Sequence, residues 1–343
     1  MKSDLTPRQK FNRYPILVLT LLLGFSLGFL SREFFNNKPD RRFVEIRQPG
    51  YEFVNPLLDC EPAGDEVESP QLRPFHKSVV TFIQRDLDKT WANEVSVYFR
   101  ELNDGRTFSI GKTEEYFPAS LMKVPIMMSL LKEAEANPQI LKHEITYNKP
   151  ELKTIQNDIP KTLEFGETYT VDELLSRMII YSDNISTNLL ENFVKINDLE
   201  KTFIDLGMND PYRDVDQSRM HGTSTKYMIS AETYASFFRV LFNASYLSRP
   251  MSEKALSLLA QSDFKEGLVA GVPAGIKVAH KYGIRTTGAQ GEIKQMHDCG
   301  IIYYPDQPYL LCIMTSGKSY AYLDDAIKEI SRIIYQEIDS QHR

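Results

Sequence analysis

The chain has few of the residues that build metal or disulfide scaffolds: three cysteines, six histidines and one tryptophan among 343 residues. Cys60, Cys299 and Cys312 are too few for a disulfide framework, and none belongs to a C-x-x-C pair of the kind that holds zinc. The histidines are scattered, so neither a metal nor another cofactor is implied. Positive charge is not in excess either. A formal net charge of −6 gives the chain as a whole no electrostatic pull on nucleic acid. There is no internal repeat and no low-complexity run, which excludes a solenoid or array. What is present is an ordinary globular composition, 42% hydrophobic and 25% charged, which excludes extensive disorder. The length suits one two-lobed unit with an N-terminal appendage.

That appendage carries its own signal. Lys2, Arg8, Lys10 and Arg13 precede an uncharged run, YPILVLTLLLGFSLGFL, Tyr14 to Leu30. As a helix the run would be about 26 Å long, enough for a thin bilayer. The basic residues in front predict that 1–13 stays in the cytoplasm and the rest is exported. Ser26 and Gly28 offer a signal-peptide cleavage site, but the apolar run continues past them, so 14–30 reads as an uncleaved transmembrane anchor. Residues 31–68 read as a stalk, polar and then rich in glycine, proline and acid, with apolar residues gathering at Tyr51 to Leu58 for partial packing. The main body, 69–343, is expected to work outside the cytoplasm.

Within that body, Leu72, Phe75, Val79, Val80, Phe82 and Ile83 recur at helical spacing, which predicts an amphipathic helix over 70–88. EVSVYFREL alternates, NDG (Asn103 to Gly105) is a strong hairpin turn, and RTFSIG returns as a second strand. The middle is helical. Thr170 and Glu173 form a capping box over a stripe of Leu174, Met178 and Ile179, and 185–206 and 230–243 carry helical periodicity. Strands resume in IKVAHKYGI, MHDCGIIYYP and YLLCIMTSG, and a last amphipathic helix aligns Leu323, Ile327, Ile330 and Ile334. The order predicts an α+β fold. An antiparallel five-stranded sheet carries the N- and C-terminal helices, and an all-helical lobe, about 145–270, is inserted between strands.

Three stretches carry chemistry. In PASLMKVPIMM, Ser120 and Lys123 lie three residues apart at the start of a helix, on one face. A lysine so placed can take the serine proton and make a strong nucleophile of a weak one. YSDNIST puts Ser182, Asp183 and Asn184 in the break between two helices, and VAHKYGIR puts Lys281, Tyr282 and Gly283 on a strand. A lysine buried near a second lysine loses proton affinity through desolvation and like charge. A neutral amine is what a general base requires, so two lysines converging on one serine make chemical sense.

Together, in this order, the three stretches resemble the serine β-lactamases and penicillin-binding proteins, which use Ser-x-x-Lys, Ser-Asp-Asn and Lys-Thr-Gly. Class A β-lactamases are the nearest in spacing and in the wording of TVDELLSRMIIYSDNISTNLL, and the resemblance spans roughly residues 70 to 340. It implies that Ser120 is acylated by a β-lactam or a peptidoglycan peptide, with Lys123 as proton acceptor and Ser182 passing a proton to the leaving nitrogen. Asn184 would hold the substrate's side-chain amide, and Lys281 would face its carboxylate. The backbone N–H groups of Ser120 and Ile284 would form the oxyanion hole. A monomer in a bacterial cell envelope is expected.

The chain departs from that pattern twice. Tyr282 stands where threonine or serine is usual, so carboxylate recognition passes to Arg285, Thr286 or Thr287. The deacylating glutamate of class A enzymes has no counterpart in the shorter stretch Asp205 to Met228, which holds no glutamate. Asp214 and Asp216 are the candidates to replace it, though both read more simply as solvated loop carboxylates. Cys299 and Cys312 fall nearly opposite each other on the last hairpin; outside the cytoplasm they could pair, but restrictive cross-strand geometry favours buried free thiols, and Cys60 is left over as an exposed thiol. His280 alternates away from the site, and Phe237, Phe238, Leu241 and Phe242 read as core.

Overall fold

In the computed structural model the described residues are 46–47, 50–59, 72–86, 92–194, 196–206, 228–288 and 290–342. The described residues all fall in one compact unit, Glu45–Arg343. The expected anchor 14–30, the segment before it, Cys60, Asp214 and Asp216 lie outside the described residues. Among the described residues no helix is long and apolar enough to cross a membrane.

The frame is a five-stranded antiparallel sheet. Its strands are β1 (Ala92–Glu101), β2 (Thr107–Ile110), β3 (Val278–Thr287), β4 (Ile293–Ile302) and β5 (Tyr309–Gly317), in the order β2-β1-β5-β4-β3. Strand alternation sends side chains to two separate cores. Val97 and Phe99 of β1, with Leu311 and Ile313 of β5, meet α1 (Arg73–Thr81) and the C-terminal α8 (Tyr320–His342) through Phe75, Val79, Ile327 and Ile330. Tyr98, Leu310, Cys312 and Met314 face the other way, into the helical lobe. That lobe holds α2 (Lys123–Ala136), α3 (Val171–Ile180), α4 (Asn184–Phe193), α5 (Ile196–Asp205), α6 (Ala231–Phe242) and α7 (Arg249–Ala260). Phe237, Phe238, Leu241 and Phe242 of α6 are core, as expected. The capping box at Thr170 and Glu173 starts α3.

Three expectations need correction. The helix expected over 70–88 is α-helical only over Arg73–Thr81 and continues as a wider π turn over Phe82–Asp86. The lobe is not all helical, because Glu144–Thr146 pairs with Thr168–Thr170 as a small antiparallel ribbon. Its Ile, Tyr and Thr residues favour extended backbone, but three-residue strands are too short to show an alternation. Cys299 and Cys312 are joined in a disulfide rather than free. They are direct partners in the β4–β5 register, and the pleat turns both side chains to the same face of the sheet.

The stretch expected to pack near Tyr51 does so. Phe53 and Val54 are buried, and the Glu253 carboxylate accepts from the backbone N–H groups of Glu52, Phe53 and Val54. Tyr303 donates its hydroxyl to the Phe53 carbonyl, and Lys277 pairs with Glu52. One short segment is thus tied both to α7 and to the sheet side.

Candidate functional site

Ser120 sits in a tight 3₁₀ turn, Ala119–Met122, that runs straight into α2. Ala119 is held at φ 50°. A non-glycine residue in that left-handed region costs on the order of 1–3 kcal/mol and persists only where its surroundings impose it. Three clamps do so. Leu121 N–H donates to Pro118 O, the Tyr234 hydroxyl donates to Leu121 O at 2.9 Å, and His297 Nε2 lies 3.1 Å from Phe117 O. The Thr315 N–H donates to His297 Nδ1, so the proton of this buried imidazole is on Nε2 and is given to Phe117. Desolvation pushes His297 down to about 4, which keeps it neutral in that role.

Lys123, one turn on, is buried while Ser120 stays half-exposed. Its Nζ reaches Ser182 O at 2.6 Å, Ser182 Oγ at 3.0 Å and Asn184 Oδ1 at 2.9 Å. Three acceptors match the three donors of an ammonium. Burial pushes the amine down to about 7, against the pull of Asp183 and Glu191. Lys123 is therefore balanced between a charged form that holds the second motif and a neutral form that can act as base.

The second motif is held rigidly between α3 and α4. Ser182 adopts φ 56°, and Asp183 caps α4 by accepting from Ile185 N–H at 3.0 Å and Ser186 Oγ at 2.8 Å. Arg177 pairs with the same buried carboxylate at 3.2 Å. Asn157 accepts from the Asn184 N–H and donates to Ser182 O, and Asn184 Nδ2 donates to Ile155 O.

The third motif approaches from the sheet edge. Gly283 of β3 packs so closely on the Ser120 turn that a Cβ there would stand 2.8 Å from Pro118 O and 3.2 Å from Leu121 N. Only glycine fits without pushing backbone from backbone. A misplacement of about 1 Å can cost on the order of 10² in rate. Gly283→Ala is therefore expected to slow covalent labelling of Ser120 by about that factor with the far-ultraviolet dichroism unchanged; labelling at the native rate would refute the contact's importance.

Lys281 is fully buried, with its Nζ 3.1 Å from Tyr282 O and 4.2 Å above the Tyr282 ring. Desolvation and the neighbouring Lys123 hold its proton affinity well below the usual lysine range, opposed by Asp298. Tyr282 stacks on Phe264 at 4.0 Å; burial raises its phenol, and Ser182 draws it back. The ring that replaces threonine is thus held by Phe264. Behind this strand the buried His280 meets Asp298 at 2.8 Å.

Ile284 is exposed beside Gly283. Arg285 lays its guanidinium 3.3 Å from the Phe117 ring centre, with a buried Nη1 that has no hydrogen-bond partner among the described residues. Thr286 is taken up by Tyr320 and Lys294. Of the expected carboxylate ligands, Arg285 has a donor to spare. The structure thus brings together Ser120, Lys123, Ser182, Asn184, Lys281, Tyr282 and Gly283, with Ile284 and Arg285 continuing the same strand. Sequence reasoning missed Asn157, Tyr234 and His297. Each reaches the site through a long-range backbone contact, and no local pattern marks it.

A family model described as the beta-lactamase enzyme family matches residues 78–338. No curated protein matches. Among solved structures, the one titled "Structure of PBP-A" is similar at 21% identity and a TM-score of 0.64, covering 78% of this chain and 97% of that one. A class A beta-lactamase from Mycobacterium abscessus matches at 20% identity and TM-score 0.62, covering 74% of this chain and 97% of its own. An acyl-enzyme complex of a PBP-A mutant with penicillin G gives 21% identity and TM-score 0.64, over 80% of this chain and 98% of that one. At such identities these likenesses speak for the fold, and the family match spans well over half the sequence. The chain belongs to the beta-lactamase enzyme family and is a β-lactamase-like serine hydrolase.

Proposed function

We propose that the protein attacks the amide of a β-lactam through an acyl-serine intermediate, in the manner of class A β-lactamases. The observation that carries this reading is the convergence of Lys123 on Ser182 and Asn184, one turn from Ser120. When Lys123 is neutral it has two donors and one lone pair, so one of its three contacts must yield. The lone pair then takes the Ser120 proton as Oγ bonds to the carbonyl carbon. Lys123 returns that proton through Ser182 to the nitrogen released when the ring amide breaks. The N–H groups of Ser120 and Ile284 receive the oxyanion. Asn184 binds the substrate's side-chain amide, while Lys281 and Arg285 meet its carboxylate. An arriving anion would restore the charge that burial takes from Lys281.

A second reading is a penicillin-binding enzyme, a D-alanyl-D-alanine carboxypeptidase acting on cell-wall peptides, or a module that is acylated without turnover. The absence of glutamate between Asp205 and Met228 favours it. Losing a positioned general base costs about 10²–10⁴ in rate, enough to stall deacylation while acylation proceeds. An anchor at 14–30 with the catalytic body in the cell envelope completes the proposal. The Cys299–Cys312 disulfide supports an oxidising compartment.

Intact mass of residues 45–343 after mixing with benzylpenicillin separates these readings. Consumption of excess drug with little adduct is expected of a β-lactamase. A lasting adduct on Ser120 would move the protein to the penicillin-binding reading, and neither adduct nor consumption would refute attack on lactams.

A further inference from the structure

Lys281, Gly283 and Arg285 alternate onto one face of β3, and Gly283 seats that face on the Ser120 turn. The two cations therefore flank the glycine, and each is laid over an aromatic ring. Lys281 Nζ is 4.2 Å from the Tyr282 ring centre, and the Arg285 guanidinium is 3.3 Å from that of Phe117. Lys281 has to turn for this contact, because neighbours on a strand point to opposite faces. It can turn because β3 is the outermost strand and its edge is open. Among the described residues its Nζ donates to one acceptor, the Tyr282 carbonyl at 3.1 Å, although the side chain is fully buried. An ammonium has three donors, so the ring is its other neighbour of opposite polarity. The face of a ring attracts a cation most strongly where water is excluded.

Tyr282 is itself held. Phe264 stacks on it at 4.0 Å with the planes 17° apart, and Phe264 in turn packs on the sheet core and lies 6.3 Å from the His280 ring. Two groups so close above one ring centre cannot share a face, so Phe264 and Lys281 take opposite sides of Tyr282.

We propose that Tyr282, backed by Phe264, is the seat of Lys281: a π face that fixes where the buried amine lies and favours its charged form as the substrate's anion arrives. The proposal rests on the reading of Lys281 as a ligand of the substrate carboxylate. Tyr282 and Phe264 act through the lysine and are positioning residues. No bond to either forms or breaks. The ring is what the site uses, and the phenol hydroxyl is dispensable. A threonine in its place would return a short hydroxyl to the strand but leave the lysine unseated.

The seat is read without substrate from ring currents, because protons held over the face of an aromatic ring resonate upfield. The Lys281 ε-methylene is followed by nuclear magnetic resonance in protein with ¹³C-labelled lysine, assigned with Lys281→Met. It is expected upfield of the ordinary lysine position in the native chain and in Tyr282→Phe, and at the ordinary position in Tyr282→Leu. A Lys281 resonance at the ordinary position in the native chain overturns the inference. Should Tyr282→Leu fail to fold, Phe264→Leu loosens the stack from behind, and an unmoved Lys281 resonance there overturns it equally. Function is read as non-covalent affinity for benzylpenicillin in a Ser120→Ala background. Tyr282→Leu is expected to weaken it about 2- to 30-fold, and Tyr282→Phe to restore it in large part. Equal weakening in Tyr282→Phe would assign the effect to the hydroxyl and overturn the inference, as would unchanged affinity in Tyr282→Leu. Absence of any binding in the Ser120→Ala parent would instead overturn the carboxylate reading of Lys281, while an upfield resonance would still support the seat.

Discussion

Ser120→Ala will bind no penicillin covalently at any pH and will fold as the native protein does. The serine hydroxyl is half-exposed, and neither the 3₁₀ turn nor α2 draws a side-chain cap from it. Its removal therefore belongs with surface substitutions, which stay within about 0.5 kcal/mol. The chemical loss is of another size, because removing the nucleophile of a serine hydrolase costs on the order of 10⁶ in rate. Intact mass and a melting curve check both halves of this expectation. Labelling that survives in Ser120→Ala would place the nucleophile elsewhere, and a large drop in melting temperature would mean that the hydroxyl holds the turn.

Lys123→Gln is the second large effect. The amide keeps donors for Ser182 O and Ser182 Oγ but cannot take a proton at neutral pH. Acylation of Ser120 is expected to fall by about 10²–10⁴, and its pH dependence to flatten. The sign follows from the lysine. Its proton affinity is lowered by burial to about 7, and in the proposed reaction the base is the unprotonated amine. The native acylation rate should therefore rise with pH through about 7 and level off above it. Below that midpoint the ammonium keeps all three acceptors and the nucleophile is not activated. Stopped-flow acylation across that range checks this, and a native profile that falls on going up through neutral pH would assign the base to another group.

Most of the frame is legible in the sequence because it is periodic. The alternation of β1, the NDG turn, the capping box at Thr170 and the stripe of α8 each declare themselves over a handful of residues. The three stretches proposed to carry the chemistry are equally local, which is why Ser120, Lys123, Ser182, Asn184 and Lys281 can be named before any coordinates. What supports them is not local. His297 reaches Phe117 only because β4 pairs β3 with His297 opposite Gly283, and Asn157 reaches Ser182 from a turn 25 residues away. The direction of the Tyr282 phenol is equally out of reach, since it depends on Phe264, which stacks on it from beyond α7. The disulfide escapes sequence reasoning for a related reason. Geometric restriction argues against most cross-strand pairs, but the registers of β4 and β5 place these two residues directly opposite.

The Glu253 clasp on residues 52–54 also has a mechanical consequence. Three successive backbone amides share one carboxylate on α7, while the next contacts, Tyr303 on Phe53 and Lys277 on Glu52, come from the sheet side. A load applied from the N-terminal direction is therefore divided between both lobes at its point of entry. It meets hydrogen bonds from α7 and from the sheet side at the same point, so neither side takes the load alone.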